Sequence, residues 1–197
     1  MTAIKICGLQ TRADVAAVNA AHPDYAGFVF AGGRHHVSLT QALALRDQLD
    51  ANIPSVGVFV NAPLSDMLAA FNSGAISIIQ LHGTEPEAIV QLLQERGAHV
   101  IRVFQGDQTQ LPTTQADWVM ADAGAGSGQT LDWHRIVQPT TPLFLAGGLT
   151  PDNVATAIQQ VHPFAVDVSS GVERGGHKDA TLVRQFVERA RQADLPH

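Results

Sequence analysis

The chain has 197 residues, 45% of them hydrophobic and 15% charged, with a formal net charge of -6 and a mean hydropathy of +0.06. This suits one sizeable core, is short for two enzyme domains, and excludes a disordered chain. The acidic balance without any run of Lys or Arg argues against nucleic acid or an anionic membrane as partner, and no apolar stretch approaches the roughly 20 residues of a membrane span. The start MTAIKICG lacks the basic opening and long apolar run of a signal peptide, which predicts a cytoplasmic location. The single cysteine, Cys7, excludes an internal disulfide, and no residues show zinc-ligand spacing.

Short runs rich in Val, Ile and Phe recur at 3–7, 25–30, 55–60, 76–81, 100–104, 118–121, 143–146 and 165–168. Most are continuous and do not alternate, as expected of strands covered on both faces in a parallel sheet. Helical signals fall between them. Thr11 is placed to cap a helix running to Ala20, Pro63 and Pro86 occupy first-turn positions before 64–72 and 87–96, and Pro151 opens another helix. The last helix, 179–192, carries Val183, Phe186, Val187 and Ala190 on one stripe. The segment 105–117 is polar, contains Pro112 and shows no stripe, which predicts a loop or a degenerate helix. Eight strand–helix units at about 25 residues each predict a minimal (β/α)8 TIM barrel, a single α/β domain over 1–197 whose helix between strands five and six is degenerate. An open doubly wound sheet of this length usually has fewer units.

A barrel of this kind keeps its chemistry at the C-terminal ends of its strands. There the sequence places Lys5 and Cys7, Arg34 to His36, Asn61, Gln80 and His82, Arg102, Asp122, Gly147 and Gly148, and 167–171. The turns Ala146-Gly147-Gly148-Leu149 and Ser169-Ser170-Gly171-Val172 follow strands seven and eight, where glycines let backbone N–H groups approach a phosphate. Either turn alone is more often structural; the pair is the signal. The glycine-rich stretch 124–128 reads as a loop over the same mouth. Cys7 closes the first strand and serves as a general base if its thiol is activated, although a lone cysteine is more often a small buried apolar residue. Asp122 closes an apolar strand before that glycine loop, where an acid can be held protonated as a general acid or simply form the turn. His82 and His35 suit proton transfer or ligation, but with no second His or carboxylate at metal spacing a hydrogen-bonded structural role is the more ordinary one.

Taken in order, these motifs resemble phosphoribosylanthranilate isomerase, the tryptophan-pathway (β/α)8 barrel, from end to end. The likeness rests on Lys5-Ile6-Cys7-Gly8-Leu9, Gly27-Phe28-Val29-Phe30, Gly57-Val58-Phe59-Val60-Asn61 and Gln80-Leu81-His82-Gly83. It continues through Asp122 with Gly126-Ser127-Gly128-Gln129-Thr130-Leu131-Asp132-Trp133, then Leu145 to Val154, Val166 to Glu173, and Lys178-Asp179. The resemblance implies an Amadori rearrangement of N-(5-phosphoribosyl)anthranilate to 1-(2-carboxyphenylamino)-1-deoxyribulose 5-phosphate through a Schiff base, with no cofactor and no metal. It implies Asp122 as general acid on the ring oxygen and Cys7 as base at C2. Phosphate falls to Gly147, Gly148, Ser170 and Gly171, with Lys5, His82 and Asp167 against the substrate. It leaves monomer and homodimer equally open.

One segment departs from the family pattern. Where relatives carry an arginine for the anthranilate carboxylate, Gly33-Arg34-His35-His36-Val37 sets His35 at that position and Arg34 one residue earlier. Arg34 after a small loop shift, protonated His35, or an arginine elsewhere are the alternatives. Two other readings compete. Another phosphosugar barrel isomerase would need metal-binding His and Asp at several strand ends, or an aspartate where Cys7 stands; a catalytically silent barrel is opposed by the intact Cys7 and Asp122.

Overall fold

The eight apolar runs become eight parallel strands that hydrogen-bond in sequence order and close into a barrel, β1 pairing with both β2 and β8. They are β1 (Ala3–Cys7), β2 (Tyr25–Val29), β3 (Ser55–Phe59), β4 (Ile78–Leu81), β5 (His99–Gln105), β6 (Trp118–Asp122), β7 (Leu143–Ala146) and β8 (Ala165–Val168). The computed structural model describes residues 1–106, 111–122 and 132–194. The glycine-rich stretch 124–128, and with it most of the 126–133 motif, lies outside the described residues. No helix among the described residues is long and apolar enough to cross a membrane.

Among the described residues six α-helices cover the outside: α1 (Arg12–Ala21), α2 (Leu39–Arg46), α3 (Leu64–Asn72), α4 (Glu87–Gln94), α5 (Val154–Val161) and α6 (Ala180–Ala193). Their starts follow from local chemistry. Thr11 caps α1 in a reciprocal box with Asp14, Ser38 Oγ accepts from Gln41 N at 3.2 Å, and Asp179 accepts from the N–H groups of Thr181 and Leu182, both at 3.0 Å. Pro63 and Pro86 precede α3 and α4, where a missing N–H leaves no helical bond unmade.

Helix α5 opens later than Pro151 suggests. Asn153 Oδ1 accepts from Thr150 N at 2.8 Å while its Nδ2 donates to Gly148 O at 3.0 Å, so 150–153 is spent on a turn. Residues 111–117 between β5 and β6 carry no helix, in line with the degenerate segment read from the sequence. Between β6 and β7 the described residues show only a 3-10 turn, Trp133–Arg135, a second shortening that the sequence reading does not anticipate.

The strands divide the interior in two. One large apolar cluster, with Ile4, Ile6, Phe28, Leu81 and Phe186 fully buried, lies between sheet and helices. The other fills the lower barrel with Val56, Ile78, Ile101, Val103, Met120 and Phe144. Beneath it Tyr25, Trp118, Phe144 and Phe164 form an aromatic floor with ring centroids 5.7 to 6.3 Å apart. The floor closes one end of the barrel, and the polar strand ends lie at the other.

A short hairpin, β9 (Glu173–Arg174) and β10 (His177–Lys178), joins that top to α6. Asp14 ties it down. Its carboxylate, 1% exposed, accepts from Lys178 N and from the N–H groups of Gln10 and Thr11, all at 2.9 Å. Asp14→Ala leaves one buried and two part-buried donors without their acceptor and is expected to lower unfolding free energy by about 2 kcal/mol. Urea denaturation measures this; a loss below about 0.5 kcal/mol would refute the anchoring role.

Candidate active site

The open end of the barrel is a cleft of about 1070 Å³, and Cys7, Arg34, His35, His82, Asp122, Asp167 and the turn residues Gly147, Gly148, Ser170 and Gly171 all line it. Strand ends far apart in sequence thus converge on one space, as the fold class requires. Cys7 and Asp122 stand three strands apart around the ring, on β1 and β6.

At the β1 side, Cys7 is buried and faces Gly27 across the β1–β2 pair. A Cβ at Gly27 would sit 2.7 Å from Cys7 Sγ, so glycine makes the room that the sulfur occupies. Two residues earlier on the same face, Lys5 is fully buried, and its ammonium lies 2.8 Å from Asp167 Oδ1. Burial pushes the Cys7 thiol up and the neighbouring Asp167 charge adds to this, against the downward pull of Lys5 and Lys178; the net shift is upward. For Lys5, burial pulls the ammonium down, but Asp167 and Cys7 together outweigh it and the net shift is upward. Lys5 is not on the cleft wall. Its long side chain ends on Asp167, which does line the cleft, so its charge reaches the site through that pair.

On the β6 side, Asp122 is 8% exposed and its Oδ2 lies 3.2 Å from His82 Nε2. His82 follows β4, whose Gln80 reaches the other ring nitrogen: Nε2 of the amide is 3.1 Å from Nδ1. Gln105, at the end of β5, donates to the His82 carbonyl at 3.4 Å.

The departure segment has a definite place. Arg34 Nη2 lies 2.9 Å from Glu173 Oε2, His35 Nε2 lies 2.9 Å from Glu173 Oε1, and Lys178 Nζ donates to Oε1 at 2.5 Å. Glu173 therefore gathers both residues named as carboxylate candidates. Lys178 also donates to Ser169 O and Oγ at 3.1 and 3.3 Å, which fastens this cluster to the turn after β8. Arg34 and Lys178 thus set two positive charges against the one carboxylate of Glu173. Burial raises the Glu173 carboxyl, but hydrogen bonds and charge from His35 and Lys178 more than reverse this and bring it down to about 2.

The two glycine turns meet. Gly147 and Gly148 have φ of 89° and 65°, a region that disfavours side chains. A Cβ at Gly171 would fall 1.9 Å from Leu149 O, so the turn after β8 packs directly on the turn after β7. Glu173 and Lys178 belong to motif blocks read from the sequence but receive no role there. The hairpin signal, Gly175-Gly176 between two polar pairs, was the clue to their pairing.

Comparison with known proteins converges on one family. The model of the N-(5'phosphoribosyl)anthranilate (PRA) isomerase family matches residues 4–189. The N-(5'-phosphoribosyl)anthranilate isomerase of Lacticaseibacillus casei is 52% identical over 192 residues, 98% of this chain and 96% of that protein. Among solved structures, TrpF from Jonesia denitrificans superposes with a TM-score of 0.87 at 37% identity, with both chains fully covered. A phosphoribosyl anthranilate isomerase in complex with reduced 1-(o-carboxyphenylamino)-1-deoxyribulose 5-phosphate does so at 0.83 and 30%, covering 98% of this chain and 100% of its own.

The Glu173 cluster has a pH signature. Because its carboxyl is lowered from 4.5 to about 2, its stabilisation is complete above about pH 4.5 and is lost as pH falls through about 2. Glu173→Gln is expected to cost about 2 kcal/mol at pH 7, and the gap from the unaltered protein to close between pH 4.5 and 2. A gap independent of pH would show that packing, and not charge, explains the loss.

Proposed function

This chain belongs to the N-(5'-phosphoribosyl)anthranilate isomerase family, and from that membership we propose which of its residues perform each part of the reaction. The activity is the isomerisation of N-(5'-phosphoribosyl)anthranilate in tryptophan biosynthesis, an Amadori rearrangement that converts an aldose derivative into a ketose derivative. The carrying observation is that an acid and a sulfur base line opposite parts of one cleft, Asp122 from β6 and Cys7 from β1.

In the proposed mechanism, Asp122 gives its proton to the ring oxygen as the C1–O bond breaks, and the nitrogen lone pair forms the protonated Schiff base at C1. Cys7, as thiolate, removes the proton from C2; the C2–H electron pair becomes the C1–C2 double bond of an enolamine, and the iminium electrons return to nitrogen. Reprotonation at C1 and loss of the C2 hydroxyl proton yield the ketose. Asp122 loses one proton and Cys7 gains one, and the two exchanges on the product side restore both. The cation at C1 acidifies C2, so a base of ordinary strength suffices.

Gly147, Gly148, Ser170 and Gly171 bind the phosphate through backbone N–H groups, supported by the mutual packing of the two turns. Arg34 and His35, gathered by Glu173 at the mouth of the cleft, receive the anthranilate carboxylate. Asp167 faces the sugar, held by Lys5. A cytoplasmic location belongs to the same proposal: a multiply charged phosphosugar does not cross a bilayer, so its enzymes work where it is made.

Cys7→Ser and Asp122→Asn are each expected to lower kcat for phosphoribosylanthranilate by about 10²-fold or more. Turnover followed by substrate fluorescence reads this, and a variant within threefold of the unaltered protein would remove that residue from its role. The thiol can be tested separately. Since burial raises Cys7 above 9.0, alkylation of the free protein should be slow at pH 7 and accelerate about tenfold per pH unit up to at least pH 9. A rate that levels off below pH 8 would contradict that setting.

A further inference from the structure

His82 and Asp122 together pose a question of proton placement. Their nearest atoms are 3.2 Å apart. With the proton that an acid must hold, the pair has two arrangements of equal proton count: a carboxyl beside neutral imidazole, or a carboxylate beside imidazolium. In open water the second prevails, because imidazole (about 6.5) is a stronger base than a carboxylate (about 3.9). Only the first has a proton on Asp122 to give to the sugar ring.

Gln80 biases this choice. It is 1% exposed, and its Nε2 lies 3.1 Å from His82 Nδ1 and 3.6 Å from Met120 Sδ. A thioether sulfur accepts hydrogen bonds and cannot donate them, so the amide nitrogen and not the oxygen belongs on that side. Facing an N–H donor, Nδ1 must present its lone pair, which puts the ring proton on Nε2, next to Asp122. An imidazolium would carry N–H on both nitrogens and set Nδ1–H against the amide N–H. Turning the amide over would instead set its oxygen against the sulfur.

The orientation is held at a cost. Among the described residues Gln80 Oε1 is buried without a hydrogen-bond partner, a situation that an apolar side chain of the same shape would avoid. The Nε2 of His82 likewise has no in-line acceptor although Asp122 is near, as is common for catalytic contacts that tighten only around substrate.

We propose that Gln80 is a positioning residue of the acid step: its amide N–H holds His82 in the Nε2–H form and thereby keeps the shared proton on Asp122. The inference rests on Asp122 acting as the general acid. His82 then serves as a neutral donor that stabilises the carboxylate left when the proton has gone to the ring oxygen, and it is barred from taking that proton first.

Nitrogen-15 NMR of the imidazoles in the full chain, with His82 assigned by His82→Gln, distinguishes the two neutral forms from imidazolium. At pH 7 the unaltered protein is expected to show His82 neutral and protonated at Nε2. Gln80→Glu supplies an acceptor at Nδ1; it should convert His82 to imidazolium and lower kcat by about 10²-fold, matching Asp122→Asn, with KM within threefold. Gln80→Leu removes the donor without supplying an acceptor and is expected to lower kcat about tenfold; together with the unaltered spectrum it decides the matter if the Glu variant does not fold. Imidazolium or an Nδ1–H form in the unaltered protein overturns the inference, as does full kcat in Gln80→Glu with His82 charged. An Asp122→Asn variant of full activity would instead sink the general-acid reading, while the His82 spectrum stands as a separate result.

Discussion

Closing eight parallel strands into a ring gives each of them one face toward a narrow shared interior, and everything else in this protein follows from how that interior is filled. Its lower half is apolar and ends in the aromatic floor of Tyr25, Trp118, Phe144 and Phe164. Residues two positions further along the same strands must share the upper half, where Lys5, Cys7, Gln80, Asp122 and Asp167 crowd into a space with limited access to water. Groups buried so closely cannot ionise independently. The site is therefore a set of coupled charges and not a collection of separate residues.

Three such couplings divide the mouth. Lys5 and Asp167 form a buried pair beside Cys7, His82 and Asp122 share the opposite wall, and Glu173 collects Arg34, His35 and Lys178 at the rim. The rim cluster is joined to the turn after β8 by a short link. Lys178 bonds both Glu173 and the Ser169 backbone at the start of that turn. Arg34 is thus connected to the turn after β8 through a hairpin of six residues, Glu173 to Lys178.

How much of this the sequence discloses depends on the range of the interactions. Buried parallel strands read as apolar runs because both their faces meet protein, and all eight appear within a residue or two of their places. Cys7, Asp122 and the paired glycine turns are legible because strand ends in such a barrel are where polar residues gather. Helix α2 is harder: Leu39, Leu43 and Leu45 are interspersed with Thr40, Gln41 and Ala44, and only the Ser38 cap marks it. What the sequence hides is pairing across the fold. Nothing near Arg34 or His35 indicates that Glu173 will hold them, and nothing near Lys5 shows that its ammonium will end on Asp167. Those outcomes need the ring to close.

Burial leaves Cys7 as a thiol in the free protein, which at first sight disqualifies it as a base. The proposed order of steps resolves this. Until Asp122 has protonated the ring oxygen there is no cation at C1, and a thiolate in the cleft would have only the fully engaged Lys5 and Lys178 to balance it. Ring opening puts a positive charge one bond from the carbon that Cys7 must deprotonate. In a cleft poorly screened by water, that charge favours the thiolate by more than it would in solution, the thiol proton passing to solvent through the cleft that Cys7 lines. The base thus becomes competent when its substrate has become acidic, and the proton retained on Asp122 by the Gln80 and His82 arrangement sets the order. A permanently ionised sulfur would be a weaker base for C2 and would stand exposed to oxidation between turnovers.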